Sequence, residues 1–206
     1  TLEQVLVGFA RWDEILALPQ PEEKFKRHRG IWHYARGMAF AATGKLELAK
    51  KEADAVAVLR GELGEGAQFG PFNKAGDVFR IAENQMRGRI ALASGDTEKA
   101  AELLRAVLPI EDKLRYMEPP DWYLYTREAL GGVLLSAGKY TEAEAVFRED
   151  LQKNRRKGRA LYGLHASLKK QGQLTQAKFT QRGFADAWEN ADTELTPGSI
   201  WWMAGN

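Results

Sequence analysis

A ten-residue pattern, with Gly at the fifth place and Ala at the tenth, recurs four times along the chain. The copies are "FAATGKLELA" from Phe40, "ALASGDTEKA" from Ala91, "LLSAGKYTEA" from Leu134 and "LKKQGQLTQA" from Leu168. Apolar residues come before each Gly at helical spacing, and a glycine at a helix end favours a left-handed turn. Each copy therefore predicts a helix, a glycine turn and a second helix.

The intervals between copies indicate a repeat with insertions. They measure 51, 43 and 34 residues between Gly44, Gly95, Gly138 and Gly172. The shortest interval is the bare unit, and the longer ones contain insertions at residues 61–77 and 109–123. We expect the first insertion to be a loop or an extended helix end. The second ends with Asp121 placed to cap the next helix, and both insertions should lie together on one edge.

Small residues and the chain ends follow the same pattern. Seven places before the turn glycines stand Gly37, Gly88, Gly131 and His165. The three glycines among them predict places where a neighbouring helix passes close.

At the start, residues 6–18 form a degenerate half-unit, with Ala10 at the turn position and Pro19 and Pro21 ending its second helix. At the other end, Trp188, Trp201 and Trp202 are predicted to cover the last hairpin.

This pattern resembles the tetratricopeptide repeat (TPR), a 34-residue helical hairpin, and in particular the C-terminal part of bacterial proteins built from such repeats. The resemblance covers about residues 30–185. It implies one all-α domain over residues 1–206, in which stacked antiparallel hairpins form a right-handed solenoid. The predicted parts are a half-repeat cap at 1–29, repeats at 30–60, 81–112, 124–157 and 158–187, and a C-terminal cap at 188–206.

The composition is that of a soluble protein without a marked charge bias. The chain has 206 residues, a net charge of +2 and no Cys, which excludes disulfides, thiolate zinc sites and a Cys nucleophile. There is no run of 18 apolar residues, so no membrane span is expected. The chain begins at Thr1 without Met, which leaves both a cytoplasmic location and export after loss of an N-terminal signal open.

The sequence contains no strong signal for catalysis, a metal or a cofactor. His28 and His33 are five residues apart, whereas two ligands on one helix need a spacing of three or four. The glycine-rich insertion lacks the phosphate-loop pattern, and there is no nucleophile-elbow motif. Acidic pairs such as Glu142 and Glu144 fall at helix starts, where the helix dipole favours them. We therefore expect a protein that is not an enzyme and has no cofactor.

In proteins that this chain resembles, the first helices of successive hairpins line a concave groove that binds a peptide or a partner helix. In the last repeat the groove places are Arg159, Tyr162, Ala166 and Lys169. The predicted partner-binding residues are Tyr34, Met38, Gln85, Arg89, Tyr125, Glu128, Arg159, Tyr162, Lys169 and Lys170. Exposed tyrosines at such places would serve as anchors, while in a stacked array some tyrosines fill gaps between hairpins.

Residues 151–185 contain nine Lys or Arg and no Asp or Glu. Such a basic module would attract an anionic partner, unless acidic neighbours such as Glu149 and Asp150 balance it. Nucleic acid is disfavoured, because few aromatic residues alternate with the basic ones.

The favoured hypothesis is therefore a scaffold or adaptor that binds a protein or peptide, with an acidic segment, in the groove. One alternative is a small-molecule or enzymatic role involving Tyr34, His33 and Arg89. The other is an acidic peptide or nucleic acid bound by the basic last repeat.

Overall fold

The computed structural model describes residues 1–195, which form ten helices and no strand. The helices are α1 (Leu2–Gly8), α2 (Trp12–Ala17), α3 (Lys26–Ala42), α4 (Leu46–Leu63), α5 (Ala75–Ala93), α6 (Thr97–Glu111), α7 (Thr126–Ser136), α8 (Tyr140–Lys153), α9 (Gly158–Lys170) and α10 (Leu174–Trp188). Within residues 1–195, none of these helices has the length and apolar character needed to cross a membrane. The all-α prediction is confirmed for this part of the chain.

The four predicted glycine turns have the same left-handed geometry. The φ angles are 74°, 84°, 75° and 74° at Gly44, Gly95, Gly138 and Gly172. In each turn the residue after the glycine donates its N–H to the carbonyl of the first residue of the ten-residue pattern. The pairs are Lys45 to Phe40 (2.8 Å), Asp96 to Ala91 (2.9 Å), Lys139 to Leu134 (2.9 Å) and Gln173 to Leu168 (3.0 Å). This six-to-one bond closes a Schellman turn. The turn needs a left-handed residue just before the donor, which explains why Gly recurs at the fifth place of the pattern.

The half-unit at the start uses the same turn without a glycine. Ala10 has a φ of 54°, and Arg11 donates its N–H to Leu6 O at 2.9 Å. The second helix of this pair, α2, ends at Ala17, two residues before Pro19. The predicted turn at Ala10 and the end of the second helix before Pro19 are both present.

Replacing Gly95 by Ala is expected to lower the free energy of unfolding by about 1 kcal/mol, the cost of a Cβ in the left-handed region. A Cβ added at Gly95 meets no atom within 4 Å, so the backbone conformation alone sets the cost. Gly95→Asn should cost less, because Asn tolerates this conformation. Urea denaturation of the three chains measures both differences, and an Ala chain as stable as the wild type would contradict the assignment.

Residues Thr1–Thr126 form one compact unit. In this unit α3 packs on α4, α5 packs on α6, and α3 also contacts α5, so the first helices of neighbouring hairpins lie side by side. A Cβ on Gly37 would meet the sulfur of Met86 on α5, and one on Gly88 would meet Leu104 of α6 at 3.4 Å. Both glycines therefore mark close helix approaches, as predicted.

The described residues from Arg127 onward, 127–195, belong to a second compact unit. Its core contains Phe147 of α8, whose fully buried ring lies against Gly131 of α7 and Gly163 of α9. At the end of α10 the ring of Trp188 packs against Gly158, as expected for a cap. Trp201 and Trp202, the other residues predicted to cover this hairpin, lie outside the described residues. The single-domain prediction stays a prediction.

Candidate binding surface

Three predicted groove residues of the first unit are core residues. The side chains of Tyr34, Met38 and Gln85 are fully buried. The second insertion covers this face, since the Trp122 ring meets the Tyr34 ring edge-on at a centroid distance of 4.9 Å. The exposure expected of Tyr34 is therefore not found, and a partner cannot reach it in this structure.

A buried chain of hydrogen bonds links Tyr34 and Gln85 to the backbone and side chain that follow the second insertion. Tyr34 Oη donates to Gln85 Oε1 at 2.9 Å. Gln85 Nε2 in turn donates to Leu124 O at 2.7 Å and to Thr126 Oγ1 at 2.9 Å. Burial raises the pKa of Tyr34 well above its ordinary value, which keeps the hydroxyl protonated as a donor. The Gln85 side chain thus joins α3, α5 and the segment between the second insertion and the start of α7.

The start of α7 is capped by a residue that the sequence did not indicate. The backbone N–H of Thr126 donates to the Glu111 carboxylate at 3.0 and 3.2 Å, and the Thr126 hydroxyl also donates to it. Asp121 was predicted as the cap, and that prediction was wrong, because α7 begins only at Thr126. Asp121 Oδ2 instead accepts a hydrogen bond from Asn73 Nδ2 at 2.8 Å.

The two insertions lie together, as predicted. Buried Asn73 of the first insertion bonds to the backbone of Arg115 in the second, with Nδ2 to O at 2.9 Å and N to Oδ1 at 2.7 Å. Arg27 at the start of α3 donates to the carbonyls of Gln68 and Phe69 at 3.0 and 2.7 Å. These contacts hold the loops as an ordered edge of the first unit.

Arg89 of α5, another predicted groove residue, is only 4% exposed. Its Nε is enclosed and has no hydrogen-bond acceptor among residues 1–195. Burial lowers its pKa to about 10, so the guanidinium remains a cation at neutral pH. Tyr125, predicted beside it in the groove, is half-buried.

In the second unit, Glu128 belongs to a buried charge cluster. Lys157 Nζ lies 2.9 Å from Glu128 Oε1 and 3.6 Å from Asp150 Oδ2, and both carboxylates are buried. Burial raises the pKa of Glu128, while Lys157 and, more weakly, Arg159 oppose that rise. The structure thus brings Glu128 and Arg159, two predicted site residues, into electrostatic contact.

The four groove places of α9 form an accessible row. Arg159, Tyr162 and Ala166 are half-buried, and Lys169 is exposed. Their spacing of three or four residues puts them on one face of the helix over about 15 Å. We call these four residues the α9 stripe. Tyr162 is supported from behind by Phe184, whose ring meets it edge-on at a centroid distance of 5.4 Å.

Acidic neighbours balance the basic module only in part. Asp150 pairs with Lys157, as predicted, whereas Glu149 lies 3.5 Å from Arg127 outside the module. The exposed cations without an ion pair among residues 1–195 include Lys169, Lys170, Lys178 and Arg182. A cationic surface thus remains around the last hairpin.

The three histidines are each engaged by protein groups. His28 Nε2 and His33 Nδ1 lie 2.5 Å from carboxylates of Glu3 and Glu52, and His165 Nδ1 donates to Ala177 O at 2.9 Å. Among residues 1–195 no group of three or more His, Asp or Glu side chains is arranged to hold a metal ion.

His33 also lines an open cavity of about 310 Å³ between α3 and α4, with Lys26, Arg29 and Leu59. Tyr34, by contrast, is bonded to Gln85 of α5. No hydrogen bond or ion pair among residues 1–195 joins His33, Tyr34 and Arg89. The structure therefore gives no contact that would unite them as one small-molecule site.

Comparison of the chain with family models, curated proteins and solved structures finds no match in any of the three. The assignment of a function therefore depends on the geometry of these residues.

Proposed function

We propose that this chain is a non-catalytic binding protein whose hairpins stack, within each unit, as right-handed TPR-like repeats. It binds a protein or peptide segment that carries acidic and apolar residues. The contact of α3 with α5 and the Schellman glycine turns support the repeat arrangement. The α9 stripe is the binding surface.

The accessibility of the α9 stripe is the observation that carries this proposal. The corresponding places on α3 and α5, including Tyr34 and Gln85, are buried, whereas those on α9 are half-buried or, at Lys169, exposed. Along α9 they present a cation, a tyrosine, a small residue and a second cation. An extended peptide of about five residues spans the same length.

The chemistry of the stripe selects the partner. Arg159 and Lys169 attract carboxylates at the two ends, and Tyr162 offers an apolar ring with a polar tip between them. The ring is held by Phe184, so little side-chain freedom is lost on binding. Acidic residues flanking one apolar residue therefore match the stripe.

Lys169→Glu is expected to weaken binding of a fluorescein-labelled peptide of Glu and Asp residues around a central Leu by about tenfold, as anisotropy titration would measure. Tyr162→Ala should have a similar effect. The matched control is Lys178→Glu, an exposed cation of α10 with the same change in charge, which should retain wild-type affinity.

Equal losses of peptide affinity in Lys169→Glu and Lys178→Glu would contradict a defined site, because the overall positive charge of the surface would then account for binding. Tighter binding of a labelled oligonucleotide than of the peptide would replace the proposal with nucleic-acid binding. Circular dichroism confirms that each variant is folded before its affinity is compared.

A further inference from the structure

Arg89 is a buried cation for which the described protein supplies no counter-charge. The residue is 4% exposed, its Nε is enclosed without an acceptor, and no carboxylate of residues 1–195 forms an ion pair with it. The arginines of the first unit that do form ion pairs, such as Arg36 with Glu52 at 3.0 Å, are all more exposed than Arg89. Arg89 is thus the most buried arginine of the first unit, and it has no ion-pair partner there.

The nearest polar side chain on the same helix cannot compensate Arg89. Gln85 lies one turn earlier on the same face of α5. Both hydrogens of its amide are donated to Leu124 O and Thr126 Oγ1, and its oxygen already accepts from Tyr34. Loss of a proton offers no relief either, because a pKa of about 10 leaves Arg89 charged at neutral pH.

An uncompensated buried charge is strongly unfavourable, and proteins normally pair it or hydrogen-bond it. A guanidinium has a planar set of N–H donors that matches the two oxygens of a carboxylate or phosphate. Because only 4% of Arg89 is exposed, a ligand would meet it through one small group rather than through a broad surface.

We propose that Arg89 anchors a site for a single oxyanion, a carboxylate or phosphate group that a ligand supplies. The site does not depend on the α9 stripe, so either proposal can fail while the other stands. The bound oxyanion would accept hydrogen bonds from Arg89, one turn after Gln85 on the same face of α5.

Thermal unfolding of the full chain in sodium acetate or sodium phosphate, at constant ionic strength set with sodium chloride, tests this site. At an anion concentration about ten times Kd, the wild-type melting temperature is expected to rise by about 3–6 °C, and the rise should saturate as more anion is added. Arg89→Met should abolish the rise and, without the anion, be at least as stable as the wild type. The acetate and phosphate arms distinguish a carboxylate ligand from a phosphate ligand.

The matched control is Arg80→Met, which removes an exposed arginine of the same helix and should keep the full response. Arg89→Lys keeps the charge without the planar donors, so it should respond more weakly than the wild type. As a readout independent of stability, the NMR signal of the Arg89 Nε–H should shift with the anion, while that of Arg80 should not. A wild-type response no larger than that of Arg89→Met, or an unchanged Arg89 signal, would overturn the proposal.

Discussion

Gln85→Met is expected to lower the free energy of unfolding by about 2–4 kcal/mol. The change keeps the length of the side chain and removes the three hydrogen bonds to Tyr34, Leu124 and Thr126. Leu124 O still accepts from Trp122 Nε1 at 2.8 Å, and the Thr126 hydroxyl still donates to Glu111. The Tyr34 hydroxyl loses its acceptor inside the core, and this accounts for much of the cost.

A double-mutant cycle separates this mechanism from a simple loss of packing. Tyr34→Phe alone should cost about 1–2 kcal/mol, because it leaves Gln85 Oε1 without its donor. In the Gln85→Met background the same change should be neutral or stabilising, because it removes the orphaned hydroxyl. Urea denaturation followed by circular dichroism measures all four chains. Additive costs would contradict the buried hydrogen-bond chain.

Gly163→Ala is expected to destabilise the second unit by about 1–3 kcal/mol, although Ala is the better helix former. The added methyl group would overlap the ring of Phe147, which Gly131 confines on its other side. Gly131→Ala should act in the same direction, since its methyl group would meet the same ring. Thermal and urea unfolding measure both changes.

The matched control is Gly61→Ala on α4, where an added Cβ meets no atom within 4 Å, and this change should stabilise the chain by up to about 1 kcal/mol. Phe147→Leu should restore part of the stability of Gly163→Ala, because it removes the overlapping ring atoms. The previous hairpin has this arrangement, with Leu104 facing Gly88. A Gly163→Ala chain as stable as Gly61→Ala would contradict the close packing.

The hairpins could be predicted because their signals are local. A left-handed turn needs particular residues within six positions, so Gly95 and even Ala10 could be located from the pattern alone. The close approaches at Gly88 and Gly131 followed from the same spacing, and at Gly131 an added Cβ would overlap the Phe147 ring.

The accessibility of the groove places could not be predicted, because it depends on contacts between distant segments. Spacing puts Tyr34 on the face of α3 expected to line the groove, but residues 122–126 fold over that face and bury it. Asp121 failed as a cap for the same reason, since Asn73, 48 residues away, bonds its carboxylate. The unpaired state of Arg89 has no sequence signal, because pairing is a property of the folded surroundings.

Chemical-shift mapping on the isotopically labelled full chain tests the proposed binding function most directly. On addition of the acidic peptide, we expect saturable shifts at Tyr162, Ala166 and Lys169, with smaller changes at the exposed residues of α10, such as Lys178. Shifts of the same size spread over every exposed lysine, or none on α9, would show that this helix face is not where the chain binds its partner.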